Sequence, residues 1–299
     1  MNGEEFNKLY KNIEFFKILS IDYKKYNYVN GLNEITNING CSFITKKQIP
    51  FWIHYDKLLI TLIEIPNDAS VNIEKNRFIT NKIIIKTEDA IDIKNLIFWH
   101  DYEYCKYSVK CNGYILKFVN EQTNELCRLA IIQHGCSLQH VKEQTEELCK
   151  LAVKYNGFSL QYVKIQTDEI CKLAVQQSGN SLVYVINQTE DICKLAVQNY
   201  GDALMCVKNQ TDEICKLAVK KNGYSLRYVK NKTKELYELA VQQNGLSLQF
   251  IQEQTEDICK LAVQQNGLSL LFVKNQTEEI CKLAVLQNSD ASKYIKIDL

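Results

Sequence analysis

A unit of 22 residues is written about nine times between Asp101 and the end of the chain, and this repetition constrains the fold more than any other feature. The unit is clearest in QTEDICKLAVQQNGLSLLFVKN, residues 254–275. A threonine, a cysteine and a glycine mark the period. The cysteines are Cys105, Cys127, Cys149, Cys171, Cys193, Cys215, Cys259 and Cys281, with Tyr237 in the seventh repeat. A fixed period over two thirds of a chain predicts a repeat architecture.

The first half of each repeat has the pattern of a short amphipathic helix. Thr255 is a good N-cap residue, and the acids Glu256 and Asp257 follow in the first turn, where the helix dipole favours negative charge. Residues 258–263 then supply an apolar stripe at helical spacing. Gly267 stands where a helix often ends in a left-handed residue. We therefore expect a helix of about 11 residues that ends at this glycine.

The second half predicts a shorter helix that is capped by Ser269 and buries Leu270 and Val273 on its inner face. Neither helix is long enough to be stable alone, so the repeats must stack on one another to bury their apolar faces. The fold class is therefore mainly α, an α-solenoid of about nine αα-hairpin repeats.

Residues 1–86 lack the repeat, and we interpret them as a small α+β domain. Residues 58–65 and 81–86 are strand candidates, and Asn30-Gly31 is a hairpin-type turn signal. One helical face is predicted by Phe6, Leu9, Tyr10 and Ile13. The solenoid domain would then comprise residues 87–299, in which a helix over 87–100 caps the repeats that begin at 101.

The twelve cysteines first suggest disulfides or, together with histidines, a metal site. The repeat cysteines lie on the apolar side of the first helix, so we expect them to be reduced and buried. The second repeat also holds Cys127, His134, Cys136 and His140, which are zinc-ligand types. Each of these stands in an ordinary repeat position, so we expect neither a metal site nor a cofactor.

Catalytic motifs are missing from the sequence: there is no phosphate-binding loop, nucleophile elbow or paired-acid motif. The other two histidines, His54 and His100, are isolated, and so are Glu64 and Asp68 at a strand end. We expect no catalytic residues and a protein that is not an enzyme. An uncharacterised activity in the N-terminal domain is the alternative.

A charged stripe follows the repeat, because a lysine comes directly after most repeat cysteines and an acid stands four residues before it. Such pairs lie on one helix face and are expected to be solvated ion pairs. In the seventh repeat the order is reversed, with Lys234 before Glu238. This reversal predicts that Glu238 bridges Lys216 and Lys260 of the neighbouring repeats.

One position of the second helix varies between repeats and should point outward. Our hypothetical binding residues occupy it, with one isoleucine nearby: Gln161, Val183, Ile186, Met205, Arg227 and Gln249. An exposed apolar patch at Val183 and Met205 would indicate a contact site, and the alternative is a local repacking of repeats four and five. We therefore predict a scaffold for protein–protein interaction. Helical repeats can also bind RNA, but the formal net charge of +1 lacks the basic excess of a nucleic-acid groove, so that reading is the alternative.

The repeat resembles a 22-residue helical repeat of unknown function that is abundant in proteins of giant, mimivirus-like DNA viruses of amoebae. The N-terminal residues resemble the leader domain of viral repeat proteins, including ankyrin-type ones. The matching stretches are residues 31–33, 43–45, 65–69 and 80–83. The resemblance implies a host or viral protein partner, and a location in the host cytoplasm or the virion. It carries no catalytic motif to transfer. The N-terminus lacks a signal-peptide pattern and no apolar run has transmembrane length, so we expect neither secretion nor membrane insertion.

Overall fold

A computed structural model describes most of the chain, namely residues 1–20, 28–35, 41–53 and 58–297. The chain divides into two compact units, Met1–Lys142 and Glu143–Leu299. The first unit holds a sheet and the first two repeats, and the second holds the remaining repeats.

The N-terminal unit begins with helix α1 (Gly3–Leu9) and contains an antiparallel sheet. The described strands are β1 (Phe15–Ser20), β2 (Gly31–Glu34), β3 (Cys41–Thr45), β4 (Leu58–Glu64), β5 (Val71–Glu74), β6 (Arg77–Thr80), β7 (Lys82–Ile85) and β8 (Ile91–Asp92). Their order is β2-β7-β4-β1-β3-β6-β5, and β8 pairs with β4. A four-residue helix α2 (Ile49–Trp52) follows β3. The α+β class that we predicted for this part is confirmed.

An aromatic cluster holds α1 against the sheet. The ring of Phe6 is fully buried and packs within 6 Å of the rings of Phe15, Phe43 and Phe78. The helix begins with a capping box, in which the Asn2 side chain accepts from the backbone of Glu5. The predicted helical face is only partly correct. Leu9 and Ile13 are exposed, because α1 ends at Leu9 and turns its last residues away from the sheet.

Two predicted strands are confirmed as β4 and β7 within a residue or two of their expected bounds. Gly31 has a positive φ of 96°, as a turn signal requires. Among the described residues, the strand β2 that begins there pairs with β7, which lies about 50 residues further along the chain.

The helix expected over residues 87–100 is not continuous. The segment forms 3₁₀ turns at Thr87–Asp89, Ile93–Asn95 and Ile97–His100, with β8 between the first two. Instead of forming a helix, residues 91–92 of this segment form β8, whose backbone pairs with β4 in the sheet. The segment nevertheless packs on the first repeat, because Trp99 is buried and its ring stacks on Phe118 at 5.5 Å.

Each of the nine repeats in the described chain has a ten-residue α-helix and then a six-residue 3₁₀ helix, which we call the first and second helix. The first helices are α3 (Tyr102–Cys111), α4 (Asn124–Gln133), α5 (Glu146–Tyr155), α6 (Asp168–Gln177), α7 (Glu190–Asn199), α8 (Asp212–Lys221), α9 (Lys234–Gln243), α10 (Glu256–Gln265) and α11 (Glu278–Gln287). The second helices are Gly113–Phe118, Gly135–His140, Gly157–Tyr162, Gly179–Tyr184, Gly201–Cys206, Gly223–Tyr228, Gly245–Phe250, Gly267–Phe272 and Ser289–Tyr294. Within each unit the repeats pack neighbour on neighbour. The α-solenoid that we predicted is confirmed.

The caps explain where each first helix begins and ends. Thr255 is an N-cap as predicted, because its side chain accepts from the backbone of Ile258 at 3.4 Å. The predicted left-handed end is wrong. The helix ends at Asn266, which is extended, and Gly267 begins the second helix with an ordinary negative φ. Glycine is required there for another reason: a Cβ atom would lie 2.4 Å from the carbonyl oxygen of Ala284 in the next repeat.

The start of the second helix also differs from the prediction. Asn266 rather than Ser269 caps it, by accepting from the backbone of Leu268 at 3.0 Å. Ser269 is fully buried, and its hydroxyl has no hydrogen-bond partner among the described residues. Leu270 and Val273 are fully buried, so the inner face is as predicted.

The cysteines confirm the packing prediction. All twelve are free, and the eight repeat cysteines are buried. Among the described residues, no helix combines the length and the apolar character needed to cross a membrane.

Candidate functional site

In repeats three to nine, the residue types on the outer side of the second helices differ from one repeat to the next. A 3₁₀ helix has three residues per turn, so its second and fifth residues share one side and the sixth lies next to them. We call these three positions the second-helix face. The second residues are Phe158, Asn180, Asp202, Tyr224, Leu246, Leu268 and Asp290. The fifth are Gln161, Val183, Met205, Arg227, Gln249, Leu271 and Lys293. The sixth are Tyr162, Tyr184, Cys206, Tyr228, Phe250, Phe272 and Tyr294.

The apolar candidates point into solvent. Val183 is 56% exposed and Met205 is 60% exposed, so the outward direction that we predicted for this position is confirmed. Ile186 is 64% exposed but lies beyond the end of its second helix. It lines an open groove of about 470 Å³ between the N-termini of α7 and α8, together with Glu190 and Lys208. A role of these residues in binding stays a prediction.

The polar candidates are engaged within the protein. The side-chain amide of Gln161 donates to the carbonyl of Phe158 at 3.0 Å, and Gln249 donates to Leu246 in the same way. These bonds fold both glutamines back onto their own helices.

Arg227, the remaining residue of the predicted binding set, pairs with Asp202 of the preceding repeat. Asp202 is buried and also accepts from the Asn222 amide at 2.9 Å and from the Ser225 hydroxyl at 2.8 Å. This network replaces a contact made elsewhere, in which a glycine N–H donates to an amide of the next repeat, as Gly223 does to Gln243 at 2.8 Å. Between repeats five and six, the position of that amide is occupied by Lys221. Arg227 is therefore a link between repeats as well as a surface residue.

The second-helix face has few charges, and they neutralise one another. Asp202 pairs with Arg227, and Asp290 pairs with Lys293 at 2.5 Å. The pKa of the Asp290 carboxyl is lowered by its bond to Lys293. Across repeats three to nine of the described chain, this face thus presents no unpaired charge.

The sixth position of the second helix is aromatic in six of repeats three to nine and is Cys206 in the fifth repeat; we call its rings the aromatic row, which was not predicted although its regular spacing is visible in the sequence. The rings are partly exposed, and two of them contact a ring of the preceding repeat. Phe158 packs edge-on against Tyr184 at 6.0 Å, and Tyr224 against Phe250 at 5.8 Å. Arg227 also lies over the ring of Tyr228, 4.6 Å from its centroid. These contacts restrict the orientation of the Tyr184, Tyr228 and Phe250 rings.

The first helices present a contrasting surface of ion pairs. Lys150 contacts Glu146 of its own helix at 3.0 Å and Glu169 of the next repeat at 2.6 Å, and both acids raise the pKa of the lysine. The predicted bridge by Glu238 is wrong. Lys216 instead pairs with Glu235 at 2.7 Å, because the bridging acid is the second residue of the next first helix. Glu238 contacts Lys234 at 3.7 Å.

A glutamine that precedes each cap threonine forms the other link between repeats. The amide nitrogen of Gln188 donates to the carbonyls of Leu182 and Cys206, which belong to successive second helices. Its oxygen accepts from the backbone of Lys208 at 3.0 Å. This role was not predicted, although glutamine recurs in this position in every repeat except the first, which has His100, and the seventh, which has Lys232.

The residues considered for metal binding are part of the packing. The His134 ring stacks on Tyr114 at 5.0 Å, and the His140 ring meets Tyr114 edge-on at 6.0 Å. Cys127 lies 4.0 Å from the amide oxygen of Gln122. Within the described ranges, no three His, Cys, Asp or Glu side chains are grouped so that they could hold a metal ion.

The acids considered for catalysis, and one of the two histidines, each contact another side chain. Glu64 pairs with Lys86 at 3.6 Å and Asp68 with Lys82 at 2.7 Å, and the latter bond lowers the pKa of Asp68. His100 contacts the amide of Asn120 at 3.0 Å. His54 lies outside the described residues.

Comparison with known proteins finds the repeat but no function. Residues 145–188, 189–234 and 211–254 match the model of a family described as Domain of unknown function (DUF4116). No curated protein and no solved structure matches the chain. The matched residues cover repeats three to seven, so the central repeats of this solenoid are similar to that family.

Proposed function

We propose that this protein is a non-enzymatic scaffold that binds another protein through the second-helix face. The observation that carries the proposal is the contrast between its two surfaces. The first helices carry a row of lysines and acids that pair with one another, whereas the second-helix face exposes Val183 and Met205 and has an aromatic residue at most of its sixth positions. Interface centres are depleted in charge and enriched in aromatic residues and methionine, which favours the second-helix face.

The origin and the partner are part of the proposal. Because the repeats resemble those of giant DNA viruses, we infer a viral protein whose partner is a host or viral protein, met in the host cytoplasm or in the virion. We infer no catalytic role for the N-terminal domain. The ion pairs of Glu64 and Asp68 support that inference.

Nucleic acid is the competing ligand. A phosphate-binding surface needs unpaired cations, but lysines such as Lys150 and Lys194 each contact two carboxylates. This pairing favours a protein partner over a nucleic acid.

Site-specific photo-crosslinking in lysates of infected amoebae tests the proposal. A photoreactive side chain at Val183 or Met205 should crosslink a distinct protein. The matched control carries it at Lys172, a partly exposed position on the first helix α6. Equal crosslinking from Lys172, or recovery of nucleic acid in place of protein, would contradict the proposed binding face.

A further inference from the structure

We infer that the second-helix face binds an uncharged polyproline II segment with an apolar side chain at every third residue. This inference rests on the proposed function and specifies the conformation of the partner. Three features of the face carry it: the step between repeats, the aromatic row and the absence of unpaired charge in the described repeats.

The step between repeats matches one turn of polyproline II. Packed helices lie roughly 8–10 Å apart, so equivalent residues of successive repeats are separated by about that distance. Polyproline II has three residues per turn and rises about 3.1 Å per residue, or about 9.3 Å per turn. Some residues in equivalent positions of successive repeats contact each other directly. Lys230 Nζ, for example, donates to the carbonyl oxygen of Lys208 at 3.0 Å, and both residues occupy the same repeat position. A segment with every third residue apolar would meet one repeat per turn.

The aromatic row supplies the surface that such a segment needs. Polyproline II segments dock on grooves lined by aromatic side chains, and they lose little conformational entropy because they are already extended. Tyr184 and Phe250 are half-buried and fixed by edge contacts with Phe158 and Tyr224. The ring faces are therefore arranged before a ligand arrives.

The fifth position of the second helix determines whether the surface beside the aromatic rings is apolar or polar. Val183, Met205 and Leu271 are exposed apolar residues, whereas Gln161 and Gln249 use their amides within their own helices. A charged ligand would find no free countercharge there. An amphipathic helix needs a broad apolar stripe, and the glutamines interrupt one, so the face favours a narrow extended segment.

Fluorescence anisotropy with the full chain tests the match in spacing. The probe is a labelled 18-residue peptide, (Pro-Pro-Leu)₆, which spans about 56 Å as polyproline II. The reference probe has the same composition with its six leucines adjacent. We expect the periodic peptide to bind at least tenfold more tightly and to lose little affinity between 0.15 and 0.5 M salt. Equal affinities would overturn the inference.

Variants locate the binding face. Val183→Asp combined with Met205→Asp should weaken binding of the periodic peptide at least tenfold. Leu286→Asp is the control, because Leu286 is 85% exposed on the first helix α11 and lies outside the second-helix face. Circular dichroism confirms that both variants are folded. Unchanged binding by the double variant would place the peptide elsewhere and contradict the inference.

A third probe separates this inference from the proposed function. An amphipathic helical peptide with leucines at i, i+3, i+4 and i+7 should bind more weakly than the periodic peptide. If it bound more tightly, or if neither peptide bound while Val183 still crosslinked a protein, the polyproline II inference would fail and the scaffold would stand. Crosslinking lost together with peptide binding would reject both.

Discussion

The thiol of Cys171 donates a hydrogen bond to the amide oxygen of Gln166 at 3.6 Å. The same amide oxygen accepts from the backbone of Ile186, and its nitrogen donates to the carbonyl of Tyr184. Cysteine and glutamine thus form one link between second helices. In the seventh repeat both partners of this link are replaced: Tyr237 takes the cysteine position and Lys232 the glutamine position.

The first prediction tests this link. Gln166→Ala should lower the free energy of unfolding by about 1–3 kcal/mol, because a backbone carbonyl and an N–H lose their partner. Lys232→Ala is the matched control in the same repeat position, where no glutamine link exists, and it should change stability by less than about 0.5 kcal/mol. Urea denaturation measures both. Similar losses in the two variants would mean that the amide bonds do not hold the repeats together.

The second prediction concerns the contact between Gly245 and Ala262. A Cβ on Gly245 would lie 2.3 Å from the Ala262 carbonyl oxygen, which is a backbone atom that cannot move aside cheaply. Gly245→Ala should therefore destabilise by roughly 3 kcal/mol, at the upper end for an overpacked contact.

Ser247→Ala is the control for that substitution. The Ser247 hydroxyl is buried and has no partner among the described residues, and the fifth repeat naturally has Ala203 in this position. Removing an unsatisfied hydroxyl should leave the melting temperature unchanged or raise it slightly. If Ser247→Ala were as harmful as Gly245→Ala, general crowding rather than the backbone contact would set the cost.

The sequence predicts what lies within one repeat better than what joins two repeats. The Thr255 cap and the burial of Leu270 follow from local rules, and both are confirmed. The roles of Gly267 and Gln166 were missed, because each depends on an atom about 20 residues further along the chain. A period shows which residues recur, but it does not show which neighbour they contact.

The candidate site shows the same difference between features within one repeat, which could be predicted, and contacts between repeats, which could not. The outward direction of Val183 and Met205 could be inferred from the inward-facing leucine beside each. The pairing of Arg227 with Asp202 could not, because the two residues are 25 positions apart and belong to different repeats.

The third prediction uses a gap in the row of ion pairs on the first helices. Lys194 reaches Glu213 of the next repeat at 2.6 Å, whereas Lys172 contacts only Asp168, at 3.5 Å, among the described acids. The acid that should bridge to Lys172 is Asp191, which is one methylene shorter than glutamate. Asp191→Glu should complete the bridge and raise the melting temperature slightly at low salt, with no gain at 1 M salt.

Asp257→Glu is the matched control for this substitution. Asp257 is the equivalent acid of the eighth repeat, but the preceding repeat has Glu238 where the others have a lysine or, in the second repeat, Arg128. A longer acid there meets a like charge and should give no gain. Equal stabilisation by both variants would show that helix propensity, rather than the bridge, produces the effect.

The fourth prediction concerns the reactivity of the cysteines. Burial raises the pKa of repeat thiols such as Cys171, and it raises the pKa of Cys105 to about 11. Because the thiolate is the reactive form, buried thiols should react slowly with a thiol reagent in the folded protein. The half-exposed Cys111, Cys136 and Cys206 should react first. Rapid native labelling of all twelve, followed by mass spectrometry, would contradict the buried positions.

The same shifts predict how stability depends on pH. Below the ordinary thiol pKa of 9.0, folded and unfolded chains both keep the proton, so the repeat thiols cause no pH dependence. Above it, the unfolded chain releases the proton while the folded chain holds it, and unfolding becomes more favourable. The melting temperature should therefore fall as the pH rises from about 9 through the raised folded pKa. Cys171→Ala removes one of these thiols, so the fall between pH 9 and pH 10.5 should be shallower than in the unchanged protein. A fall of the same steepness in the variant would mean that other groups control the alkaline transition.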